Sequence, residues 1–184
     1  LSRIYQGGEK IASPLTGLNK WQERNLALFS LGVVEAKSCI QQQVAKALYR
    51  VGRWRSNQRR LQRLLSNERL DMRQHMVDWA RWVLSRLVTD EVILLVDETH
   101  LGTHLSMMMV GVAYENRCIP LAWRCYQADD YPAGGQVALI AQLLQIVDEG
   151  LPAECWPLLQ ADRGIGTSPD LIEQVEALGW RYLF

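Results

Sequence analysis

The stretch Glu91-Val92-Ile93-Leu94-Leu95-Val96-Asp97-Glu98-Thr99 constrains the fold more than any other, because five consecutive apolar side chains end abruptly on acid. With no polar face and too few residues for an independent helix, the run predicts a strand buried on both faces of a sheet. Asp97 then marks its carboxyl end. A second run repeats the pattern, Trp156-Pro157-Leu158-Leu159-Gln160-Ala161-Asp162, and leads into Arg163-Gly164-Ile165-Gly166. As parallel neighbours about 4.8 Å apart, the two strands would bring Asp97 and Asp162 together at one edge of the sheet, where open α/β sheets bind ligands. Paired carboxylates suit a hard divalent cation.

The other patterns fall in order around these two strands. Leu105 to Tyr114 and Arg117 to Tyr126 read as an antiparallel hairpin turning at Glu115-Asn116, with Asn116 as the residue that tolerates a left-handed conformation. Pro120 has no N–H to donate, which places the second of these strands at a sheet edge. Gly134-Gly135 opens a helix from Gln136 to about Asp148, closed by Gly150. After the strand to Asp162, Ser168 caps a helix with Pro169 in its first position and Gly179 just past its end. Trp180 to Phe184 starts one more strand.

Before Asp90 the chain reads as helical. Residues 1 to 20, with Gly7-Gly8, Ser13-Pro14 and Gly17, form an irregular leader. Trp21 to Glu35 is dense enough in Leu26, Leu28, Phe29, Leu31, Val33 and Val34 for a largely buried helix, although Gly32 weakens it. Ser38 to Val51 and Ser56 to Asn67, the latter with Ser56 as N-cap, flank Gly52-Arg53-Trp54-Arg55 as a helix-turn-helix-like pair. A packing helix follows from Asp71 to about Val88.

The chain holds 20 Lys+Arg and 20 Asp+Glu, but unevenly: 16 basic and 6 acidic residues precede Asp90, against 4 and 14 from Asp90 onward. The split suggests a basic module for a polyanion joined to an acidic one suited to cations; two ordinary domains whose charges segregate are the alternative. Between Arg50 and Arg63 stand Arg50, Arg53, Arg55, Arg59, Arg60 and Arg63 with no acid among them. Planar guanidinium donors match phosphate oxygens, which favours nucleic-acid contact over a merely solvated face. No apolar run reaches the roughly 18 residues of a membrane span, and Cys39, Cys118, Cys125 and Cys155 lack a C-x-x-C spacing, so reduced thiols in the cytosol are expected.

Other candidates carry less. Glu98 turns to the strand face opposite Asp97. His100 and His104 are four apart outside any helix, where that spacing means little. Asp129-Asp130 reads as solvated loop, Met107-Met108-Met109 as core alternating across a strand. Arg163 either meets DNA phosphate or offsets Asp162.

Val96-Asp97-Glu98-Thr99, Ala161-Asp162-Arg163-Gly164, Ser168-Pro169-Asp170-Leu171 and Leu178-Gly179-Trp180-Arg181-Tyr182 stand in the order strand, strand, strand, helix, strand, helix, strand. In those words and that order the chain resembles an insertion-sequence DDE transposase, and Arg50 to Asp71 resembles the basic helical region preceding the core in such proteins. The resemblance implies an α/β fold: a ribonuclease H-like mixed sheet with flanking helices over residues 90–184, incomplete at its C-terminus. An all-helical, basic DNA-binding and dimerisation domain over residues 1–89 would precede it. It implies a metal-dependent enzyme of DNA strand cleavage and strand transfer, in which Asp97 and Asp162 are the first two catalytic acids and share two Mg²⁺ or Mn²⁺ ions. The implied partner is double-stranded DNA, at transposon ends and target, bound by Arg53, Arg55, Arg59, Arg60 and Arg63 in a homodimeric complex. The implied location is the bacterial cytoplasm, at the nucleoid, with no membrane. The family's third ligand is a glutamate beyond the fifth strand, within a tyrosine-arginine-glutamate-lysine signature, and that signature is absent from this sequence. The expectation is therefore a truncated copy; a non-catalytic DNA-binding remnant and another ribonuclease H-like nuclease are the alternatives.

Overall fold

Asn19 starts the first helix by a reciprocal cap: its Oδ1 accepts the N–H groups of Trp21 and Gln22 at 3.0 Å, and Gln22 Oε1 accepts the Asn19 N–H at 2.8 Å. Two of the otherwise orphaned donors of a helix start are thereby satisfied. This contact belongs to a computed structural model that describes residues 13–87, 89–128 and 130–184. Most of the irregular leader, together with Val88 and Asp129, lies outside the described residues. The chain divides between Met72 and Arg73 into two compact units.

The first unit holds α1 (Lys20–Ala36), α2 (Gln41–Ala47) and α3 (Trp54–Leu65). The largely buried first helix expected from its apolar content is not found. Only Gln22, Asn25, Leu28 and Gly32 are buried on α1, and Val34 is 71% exposed, because its apolar residues spread around the helix instead of forming one stripe. Gly32, which weakens the helix intrinsically, has a packing reason: a Cβ there would stand 2.6 Å from Val44 Cγ1 of α2. The small core is Leu28, Val44, Ala45, Leu48 and Leu61. Asn57 is 3% exposed, and its Nδ2 donates to the carbonyls of Leu48 (3.0 Å) and Gly52 (3.1 Å), pinning the turn between α2 and α3. Ser56 is not the cap of α3. The helix begins earlier, after Arg53, with no side-chain cap.

The second unit holds α4 (Met72–Leu84), β1 (Glu91–Leu101), β2 (Leu105–Tyr114), β3 (Arg117–Gln127), α5 (Gly135–Gly150), β4 (Trp156–Ala161), α6 (Arg163–Gly166), α7 (Pro169–Ala177) and β5 (Arg181–Leu183). It is mixed α/β, with a five-stranded sheet ordered β3-β2-β1-β4-β5. The β1–β2 and β2–β3 pairs are antiparallel; β1–β4 and β4–β5 are parallel. α4 belongs here. Its Val77, Ala80, Val83 and Leu84 join the core that includes Val92, Leu94 and Val96, so the boundary falls before this helix and not at residue 89. A Cβ at Gly150 would lie 2.8 Å from the Ala80 methyl, which shows how closely α5 approaches α4. The charge contrast survives the move: residues 1–72 hold 13 Lys+Arg against 5 Asp+Glu, and residues 73–184 hold 7 against 15.

β1 is not buried on both faces. Val92, Leu94 and Val96 are buried while Ile93 is 42% exposed, because α4, α5 and α7 contribute their apolar residues to a single core on one side of the sheet. Pro120 does lie on the edge strand β3, and its carbonyl accepts Trp79 Nε1–H at 2.7 Å. In the hairpin turn the left-handed residue is Glu115 (φ 51°), not Asn116. Gly179 (φ 71°) closes α7 as expected. All four cysteines are free thiols, and no helix among the described residues is long and apolar enough to cross a membrane.

Candidate functional site

The parallel register fixes where the two aspartates stand. Val96 pairs with Ala161 as the last partners of β1 and β4, so Asp97, still on β1, and Asp162, just past the end of β4, are the residues that follow this pair. In-register parallel neighbours point to the same side of a sheet. Val92, Leu94 and Val96 occupy the core side, which leaves both aspartates on the other, and both are exposed. The strand does not end on Asp97 as its acid suggests. β1 runs on to Leu101, paired only with β2, and Asp97 faces Met109 there. β4 does end, and Asp162 turns the chain into α6 by accepting the Ile165 N–H on Oδ1 at 2.9 Å.

Thr99, two residues on and on the same face, donates its hydroxyl to Asp97 Oδ2 at 3.2 Å. The Cys118 thiol is pushed up by burial and further by the Asp97 charge, which puts that carboxylate within electrostatic reach of β3. Among the described residues no group of three or more His, Cys, Asp or Glu side chains is placed to hold a metal. The donor set is two hard carboxylates on an open rim. That fits Mg²⁺, which takes one or two protein carboxylates and completes its shell with water or substrate phosphate.

Glu98 turns the other way, as its position in the strand requires, and enters a polar cluster that sequence reasoning missed. Its Oε2 accepts the Tyr131 hydroxyl at 2.6 Å and Gln136 Nε2 at 3.1 Å, and Gln136 also donates to the Tyr131 oxygen at 3.2 Å. Burial alone would raise the Glu98 carboxyl, but the bonds from Tyr131 and Gln136, with the Tyr126 hydroxyl and His100 nearby, outweigh it and hold the pKa below the ordinary value. Tyr126, tilted against Tyr131 with ring centroids 5.2 Å apart, is pushed up by burial and then by Glu98. The signal for this cluster is non-local, since 33 residues separate Glu98 from Tyr131. His100 Nδ1 lies 2.9 Å from Ser106 Oγ, its partner across the β1–β2 pair.

On the first unit Arg53, Arg55, Arg59 and Arg63 are exposed, the last three on α3. Arg63 Nε folds back to the Arg59 carbonyl at 3.3 Å. Arg60 differs: it is half-buried, and its Nε donates at 3.1 Å to Asn25 Oδ1, tying α3 to α1. Arg55, Arg59 and Arg63 recur every four residues along α3, a spacing that keeps residues on one side of a helix. No family model matches the chain, and comparisons with characterised proteins and with solved structures also return no match.

Proposed function

We propose that the second unit is a ribonuclease H-like core that cuts and rejoins DNA strands in the manner of an insertion-sequence DDE transposase, and that the first unit binds DNA. The observation that carries this reading is the juxtaposition of Asp97 and Asp162, one step beyond the last β1–β4 partners, on a sheet ordered β3-β2-β1-β4-β5. Asp97 and Asp162 would hold the cation, whose bound chemistry is activation of water or a 3′-hydroxyl and stabilisation of the leaving oxygen at phosphorus. Thr99 orients the Asp97 carboxylate and the Ile165 N–H steadies that of Asp162. Glu98, held by Tyr131 and Gln136, is kept out of the pair. Exposed Arg53, Arg55, Arg59 and Arg63 supply phosphate contacts.

The test is nicking of supercoiled plasmid in Mg²⁺ or Mn²⁺, alongside Mn²⁺ binding by calorimetry. Asp97→Asn and Asp162→Asn should each lower strand cleavage by about a thousandfold or more, since metal-centred charge stabilisation is worth several kcal/mol. Both should weaken Mn²⁺ binding and leave DNA affinity within about threefold, because phosphate contacts lie elsewhere. A double variant as active as the unaltered chain would sink the metal role. One observation favours a second reading, a DNA-binding remnant without catalysis: among the described residues no group of three or more His, Cys, Asp or Glu side chains is placed to hold a metal. Duplex binding without Mn²⁺ binding or nicking by the unaltered chain would select it.

A further inference from the structure

The turn between α2 and α3, with the first residue of α3, shows two large rings to solvent that the core of its unit does not use. Tyr49 is 67% exposed and Trp54 is 39% exposed, and neither belongs to the cluster around Leu28, Val44 and Leu61. Each has a cation beside it. The Arg50 guanidinium carbon lies 5.5 Å from the Tyr49 ring centroid, with Nε donating to the Tyr49 hydroxyl at 3.0 Å. The Arg55 guanidinium carbon lies 5.5 Å from the Trp54 centroid. Both distances fall within cation–π range. The turn that carries Tyr49 and Arg50, and leads into Trp54 and Arg55 at the start of α3, is held from inside, because buried Asn57 binds the Leu48 and Gly52 carbonyls on either side of Tyr49.

Exposed rings on a turn fixed by buried hydrogen bonds, interleaved with Arg50, Arg53 and Arg55, lose little freedom when a flat partner stacks on them. Every nucleobase offers such a flat face, and the phosphate that follows it offers charge to the adjacent guanidinium. Duplex bases are already stacked on one another, so a ring reaches their faces only by prying a step open. We infer that Tyr49 and Trp54 form a stacking platform for unpaired bases of a DNA strand, with Arg50, Arg53 and Arg55 on its phosphates. The inference rests on the DNA-binding reading of this unit and adds the form of DNA that it prefers.

Fluorescence anisotropy on the full chain tests it, with labelled oligothymidylate of about 20 nucleotides and a duplex of the same length, long enough for one site. Tyr49→Ala and Trp54→Ala should each weaken oligothymidylate binding about five- to a hundredfold, as loss of one stacked base does. Duplex affinity should change less than about threefold, and the salt slope should stay the same, because no phosphate contact is removed. Tyr49→Phe and Trp54→Phe keep the ring and should restore single-strand binding, which separates stacking from any loss of folding. Equal losses on both forms of DNA, or Phe variants as weak as the Ala variants, would overturn the platform. Single-strand affinity indifferent to both rings, with duplex binding intact, would remove this inference alone. Failure of the unaltered chain to bind either form would remove the DNA-binding reading as well.

Discussion

The helical unit closes around Leu28, Val44, Ala45, Leu48 and Leu61, with Asn25 and Asn57 buried as well, whereas the sheet unit closes around the inner face of β1 to β4 and the apolar residues of α4, α5 and α7. In the first, apolar burial is scarce, and geometry is set by hydrogen bonds from buried amides to backbone carbonyls; Arg53, Arg55, Arg59 and Arg63 stay outside, while Arg60 turns in to Asn25. In the second, burial is ample, and polar side chains gather near the end of β1, where Asp97 lies on one face and Glu98 on the other. The lesson is that the two proposed tasks use opposite resources. A phosphate surface needs charge on a pinned turn; a cation site needs carboxylates on a rigid strand rim.

The sharpest way to break this contrast is to excavate each core. Leu94→Ala, at a fully buried position of β1, should cost about 2–5 kcal/mol of unfolding free energy in the sheet unit, and Leu61→Ala should fall at the lower end of that range in the helical unit. Denaturant unfolding followed by tryptophan fluorescence and circular dichroism reads both. If either substitution shifts a single common transition, the two cores unfold as one and the comparison fails. Next in size, Asn57→Ala removes the buried donor to the Leu48 and Gly52 carbonyls and should cost about 1–3 kcal/mol, confined to the helical unit. A neutral result would mean that water replaces the amide.

The arginines sharpen the contrast from the surface. Replacing Arg59 and Arg63 together by Ala should flatten the dependence of log K on log salt by about 1.8, near 0.9 per phosphate contact, with little change in unfolding. Arg60→Ala should do the reverse, because its guanidinium is committed to Asn25. An unchanged slope for the Arg59 and Arg63 pair would move the DNA surface elsewhere. The smallest effect concerns Glu98. Its folded pKa lies below the ordinary carboxylate value, so its stabilisation is fully present above that value and is withdrawn as pH falls through the lowered one. Glu98→Gln should therefore reduce the acid-side slope of stability against pH in the sheet unit, leaving the helical unit's slope unchanged. A wild-type slope in the variant would show that Tyr131 and Gln136 do not prefer the ionised carboxylate.

Much of the sheet was legible in the sequence because its signals are local. The two apolar runs ending on acid, the hairpin around Glu115-Asn116, Pro120 on an edge and Gly179 after α7 each follow from side-chain period or backbone preference within a few residues. The adjacency of Asp97 and Asp162 needed one further step, the parallel pairing of β1 with β4, and the register supplies it. The identity of the left-handed turn residue was not legible, since Asn116 and Glu115 compete within one turn and strand twist chooses between them.

What the sequence determined by itself is the kind of each element and its chemistry: which segments seek burial, where carboxylates stand on strands, and that arginine gathers between residues 50 and 63. Tertiary structure alone decided what covers what. It moved α4 into the sheet core, left Ile93 exposed on a strand whose composition asks for two buried faces, gave Gly32 a partner in Val44 and turned Arg60 inward to Asn25. Periodicity and propensity report the preferences of one segment; the partner that satisfies them is chosen by packing between segments far apart in the chain.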